Sequence, residues 1–97
     1  MRILGYVAVR RPTKAATQVR RLYYMGAQLV LTDQPRGRLS SRPAFKALRS
    51  LLLRRGDKLY LADITALGTK RAYSERNAAA LEADGIDIML LRKDYFE

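Results

Sequence analysis

Two serines, Ser40 and Ser41, stand in a segment that also holds Arg36, Arg38 and Arg42. A hydroxyl among guanidinium groups is a set that can attack a phosphate, provided a base within reach takes the hydroxyl proton. Asp33 is the nearest acidic residue by sequence. The same residue types also make an ordinary loop before a helix, in which a serine turns the chain or caps the helix, and that reading requires less. Asp33 and Asp63, each at the end of an apolar run, suggest in the same way a metal or phosphoacceptor pocket. Such a pocket needs acidic partners after the first strand, and Arg10-Arg11 stand there instead. The chain has no histidine and no cysteine. Imidazole acid/base catalysis, thiolate nucleophiles, disulfides and Cys- or His-based zinc sites are therefore excluded together. Gly37 and Gly68 stand alone, so no glycine-rich phosphate loop is present and no cofactor is expected.

The residues that position these groups alternate short apolar runs with helical patterns, as expected for a parallel sheet covered by helices. Strands are predicted over 3–9, 28–32, 58–62 and 86–91. A first helix over 12–25 carries Ala15, Val19, Leu22 and Tyr23 on one face and stops at Gly26. A second begins at Pro43, which suits a first helical position, and buries Phe45, Leu48, Leu51 and Leu52 before Gly56-Asp57 turns the chain. A third runs over 71–83 and is closed by Asp84-Gly85. The expected product is a three-layer α/β sandwich with a mostly parallel four-stranded sheet, one domain over 1–97. No apolar run approaches the roughly 18 residues of a membrane span, so no membrane contact is expected and the cytoplasm is the expected compartment.

Nineteen Lys and Arg against nine Asp and Glu give a formal charge of +10 on 97 residues. A field of this sign raises encounter rates with polyanions through long-range attraction and counterion release; surface solvation alone also produces basic domains. In a parallel sheet, ligands meet the loops at the carboxyl ends of the strands. Those loops hold Arg10, Arg11 and Lys14, then Arg36, Arg38 and Arg42, then Lys70 and Arg71, then Arg92 and Lys93. The topology thus gathers positive charge on one edge, which favours a phosphate-facing surface. The expected partner is nucleic acid, DNA foremost, bound without sequence specificity, or else an acidic protein surface.

Several segments resemble the catalytic domain of the serine recombinases, the resolvases and invertases. They are Arg2-Ile3-Leu4-Gly5-Tyr6-Val7, Thr17-Gln18-Val19, the helix start Arg42-Pro43, and Gly56-Asp57 before the third strand. The resemblance implies a flavodoxin-like strand order, 2-1-3-4, and an edge at which relatives cut DNA through a serine. It also implies that this chain does not cut. Where the family carries Tyr-x-Arg-Val-Ser, this chain has Tyr6-Val7-Ala8-Val9-Arg10; where it carries roughly Leu-Asp-Arg-Leu-x-Arg, the matching stretch is Ile64-Thr65-Ala66-Leu67-Gly68-Thr69. A guanidinium cannot form the phosphoserine link. Tyr6, Gln18 and Arg42 survive, each with an ordinary structural use besides.

Two aromatic pairs remain. Tyr23 and Tyr24, beside Arg20 and Arg21, could stack on bases or on a partner, or pack in the core and on the surface respectively. Tyr95 and Phe96 must fold back on the core or be covered by another subunit, which would make the protein a homo-oligomer. The reading is an inactive, resolvase-like domain acting as a DNA-associated regulatory or accessory protein. An adaptor or oligomerisation module is the alternative, and an enzyme rebuilt on unrelated residues a third.

Overall fold

The computed structural model describes residues 1–35 and 38–91. Arg36 and Tyr95-Phe96, with Arg92 and Lys93, lie outside the described residues. Four strands, β1 (Ile3–Ala8), β2 (Leu29–Asp33), β3 (Lys58–Leu61) and β4 (Asp87–Leu90), form one sheet in the order β2-β1-β3-β4, and every pairing is parallel. The fold class and strand order are those expected. β1 is buried along nearly its whole length, because it has a strand on either side and a helical layer on either face.

Alternation along the strands divides the interior in two. Leu4, Tyr6 and Ala8 of β1 point with Leu59 and Leu61 of β3 into one layer, filled by Phe45, Leu48, Leu67, Ala78 and Leu81. Val7, with Val30 and Tyr60, faces the other layer, which holds Leu22, Val19 and Ala15. Helix α1 (Pro12–Tyr24) therefore covers one face, and helices α2 (Pro43–Ala47) and α3 (Arg71–Ala83) the other. Gly5 lets α1 approach closely: a Cβ there would meet Val30 Cγ2 at 3.0 Å and Leu22 Cδ1 at 3.1 Å. Helices α1 and α3 end at Gly26 and Gly85, whose φ angles of 115° and 85° suit glycine.

Two burial expectations are corrected. Leu51, read as part of the stripe of the second helix, is 76% exposed. After Ala47 the helix widens into a π turn over Leu48–Leu52, with Leu53 N–H donating to Leu48 O at 2.7 Å, and the altered pitch turns Leu51 to solvent while Leu52 stays against the core. Tyr23 is 43% exposed, outside the core; its hydroxyl accepts the Val30 N–H at 3.1 Å. No helix among the described residues is long and apolar enough to cross a membrane.

Candidate functional site

Parallel register places the ends of β1, β2 and β3 side by side, with Ala8 opposite Asp33 and Tyr6 opposite Leu61. The loops that leave this edge carry Arg10, Arg11, Arg38 and Lys70, and the first turn of α1 carries Lys14, all exposed and none in an ion pair among the described residues. Arg71 is also on this edge, but its Nε is held 2.8 Å from Glu75 Oε1, one turn along α3. On the opposite edge, Arg2 and Arg49 pair with Asp57 and Asp84.

Arg42 departs from the expectation of a phosphate-facing residue. It is 2% exposed, and its Nη1 donates to Ala66 O at 3.0 Å, with Nε and Nη2 making no hydrogen bond. The guanidinium is enclosed because the turn at Pro43 carries the chain back over the sheet, beside Tyr6. The Tyr6 hydroxyl donates to Asp33 Oδ2 at 2.8 Å, and its ring meets Phe45 edge-on at 5.3 Å between centroids. Burial pushes the phenol well above its ordinary pKa; the Arg42 guanidinium pulls it down, and the hydrogen bond to Asp33 adds to the rise.

Asp33 is likewise a structural group. Its Oδ1 accepts from Ala44 N at 3.0 Å and its Oδ2 from Phe45 N at 2.8 Å, so a carboxylate at the end of β2 satisfies the first free N–H groups of α2. Asp63 caps the 3-10 turn Ile64–Leu67 by accepting the Thr65 N–H at 2.8 Å. Ser41 Oγ donates to Arg38 O at 2.9 Å in the 3-10 turn Leu39–Ser41. No group of three or more His, Cys, Asp or Glu able to hold a metal occurs among the described residues. Asp33, the carboxylate nearest Ser40 and Ser41 in sequence, is committed to a helix end, and no hydrogen bond joins either serine hydroxyl to a carboxylate among the described residues.

A concave feature on this edge is a groove of about 560 Å³ between the 3-10 turn Leu39–Ser41 and the start of α3. Arg38, Leu39 and Ser40 form one wall; Gly68, Thr69, Tyr73, Arg76 and Asn77 form the other. The second wall is rigidly tied. Ser74 Oγ donates to Gly68 O at 2.9 Å and Asn77 Nδ2 to Leu67 O at 2.7 Å. The contact is possible because residue 68 is glycine: a Cβ would meet Ser74 N and Oγ at 3.1 Å. Tyr73, immediately before Ser74 on α3, is half-exposed, with Lys70 Nζ 6.0 Å and Arg76 Cζ 5.7 Å from its ring centroid.

Of the residues expected from the sequence, the structure brings Arg10, Arg11, Arg38, Lys70 and Arg71 to one edge, withdraws Arg42 into the core, and does not describe Arg36. Tyr73 and Arg76 are absent from that expectation, although Lys70, Tyr73 and Arg76 at three-residue spacing share one helical face. No protein-family model matches the chain, and no curated protein matches it either.

Proposed function

We propose that the protein binds nucleic acid, DNA foremost, through the carboxyl edge of its sheet and does not cut it, acting as a resolvase-like accessory or regulatory domain. The observation that carries this reading is the set of exposed cations, Arg10, Arg11, Lys14, Arg38 and Lys70, placed on one edge and in no ion pair with a carboxylate among the described residues. Such groups exchange water and mobile counterions for phosphate at little cost, because no ion pair has to be broken first. Arg10, where the resemblance would put a serine nucleophile, contributes charge and no nucleophile.

The test is binding to a short duplex and a short single strand across a salt series. Neutralising about three phosphates gives a log–log slope of roughly −2 to −3. Replacing Arg10, Arg11 and Arg38 by Ala should flatten it, whereas replacing Arg54 and Arg55 at the far edge should not. Equal losses from both sets would leave charge alone as the cause. The adaptor reading would then stand better, supported by Met89 and Leu90, which β4 leaves 41% and 46% exposed.

A further inference from the structure

We infer that the groove between the 3-10 turn Leu39–Ser41 and α3 seats an unstacked base of a single strand on the ring of Tyr73; this rests on the nucleic-acid reading above and names the form of strand it takes. Three features of the groove converge. At about 560 Å³ it falls within the size range of sites for nucleotide-sized ligands. It is cationic on both walls, with Arg38 among the lining residues of one and Arg76 of the other, and Lys70 stands one turn before the ring. An aromatic face stands between those charges, half-exposed on a wall held by the Ser74 and Asn77 ties.

The arrangement suits a strand whose bases are free. A duplex presents base edges in its grooves, with the faces already stacked on one another, so the Tyr73 ring would find nothing to stack on. A single strand offers a π-face on every nucleotide, with a phosphate on either side for the flanking cations. In the free protein, Lys70 and Arg76 lean toward the ring, and at such an exposed site each contact is weak. A base that stacks on the ring takes their place, and both long side chains can turn to the flanking phosphates, where each meets a full negative charge in place of a ring face. The hydroxyls of Ser40 and Thr69 can meet any base edge, since each both donates and accepts. Selectivity is therefore for strandedness rather than for sequence.

The experiment measures binding of a labelled single strand, the same strand with one abasic position, and the corresponding duplex. The proteins are the wild type, Tyr73→Ala, Tyr73→Phe and Arg38→Ala, each checked for fold by circular dichroism. The wild type should prefer the single strand. Tyr73→Ala should weaken single-strand binding by roughly 5- to 150-fold, the loss of one stacked base, while leaving duplex binding and the salt slope unchanged; Tyr73→Phe should retain binding. Placed at the seated nucleotide, the abasic position should weaken the wild type and leave Tyr73→Ala indifferent. Equal losses on single strand and duplex, or no loss from Tyr73→Ala while Arg38→Ala still weakens binding, would overturn the stacking site and leave the phosphate-binding edge standing. A wild type that binds neither probe would overturn both.

Discussion

Replacing Tyr6 by Phe takes one oxygen out of the interior and leaves the ring edge-on against Phe45. What disappears is the 2.8 Å hydrogen bond to Asp33 Oδ2, a bond to a charged acceptor, of the class worth about 1.5–3 kcal/mol. The lower part of that range applies, because Oδ2 keeps the Phe45 N–H and Oδ1 keeps the Ala44 N–H, so the carboxylate is not orphaned. The buried Arg42 guanidinium, with Nε and Nη2 already unbonded, also loses a polar neighbour, which raises the cost somewhat. A loss of about 2 kcal/mol corresponds to roughly 10 °C in Tm for a domain of this size. Urea unfolding at pH 7 should register it as a lower midpoint at unchanged slope. Tyr24→Phe, at a residue 90% exposed, serves as the control and should stay within about 0.5 kcal/mol.

The pH dependence supplies an independent signature. Burial raises the Tyr6 pKa in the folded protein, whereas an unfolded tyrosine ionises near pH 10. A group with a raised folded pKa contributes stability that is complete below the unfolded pKa and is lost as pH rises from there toward the folded value. The advantage of the wild type over Tyr6→Phe should therefore be constant at neutral pH and shrink above about pH 10. A variant as stable as the wild type at pH 7, or an advantage that grows in alkali, would refute the reasoning.

Asp57→Asn tests the opposite edge. Burial alone would raise the Asp57 pKa, but hydrogen bonds from the Arg2 guanidinium and from the Arg54 and Arg2 N–H groups outweigh it and hold the carboxyl below its ordinary value. The substitution should cost about 1–3 kcal/mol at pH 7, and the two stability curves should converge as pH falls below about 4, where the carboxylate's contribution is lost. Gly68→Ala should cost about 1–3 kcal/mol in urea unfolding, because backbone at Ser74 N cannot retreat from a new methyl group at 3.1 Å without loosening α3; a change under about 0.5 kcal/mol would mean the contact is slack. Arg10→Ser should yield no covalent protein–DNA adduct in denaturing electrophoresis, since Ala8 and the stretch Thr65, Ala66 and Thr69 still lack the cations of a phosphoryl-transfer site; an adduct would show that this edge still supports attack on a phosphate.

The sheet was legible because its signals are local. Apolar runs, a proline at the start of two helices and glycines at their ends mark the elements, and α3 (Arg71–Ala83) falls where spacing and the Asp84-Gly85 stop place it. Leu51 was not legible, since a π turn shifts hydrogen bonds by one residue over five residues and leaves no period to detect. Arg42 was misread for a different reason. A charged side chain is read as exposed by default, and what encloses this one is an acceptor 24 residues away, Ala66 O, that no local pattern announces. Tyr73 and Arg76 were overlooked because a helix with small residues on much of its surface reads as packing. Their significance depends on the 3-10 turn that faces them across the groove.

Arginines of three kinds among the described residues bear on the difference between binding and catalysis. Arg2, Arg49 and Arg71 are paired with carboxylates; Arg42 is committed to a backbone carbonyl in the core; Arg10, Arg11 and Arg38 are exposed and in no ion pair among the described residues. Counterion release adds up phosphate by phosphate, so on the proposed reading cations on separate loops would each add a step to the hold on a strand, and losing one would weaken it by a single step. Stabilising a transferring phosphoryl group is not additive in that way. It needs several donors fixed around one centre together, and removing one member of such a set forfeits most of the effect. The exposed arginines here sit on loops, and the rigidly held one faces inward toward Tyr6. That contrast is why the proposal here is retention of a polyanion at this edge rather than reaction with it.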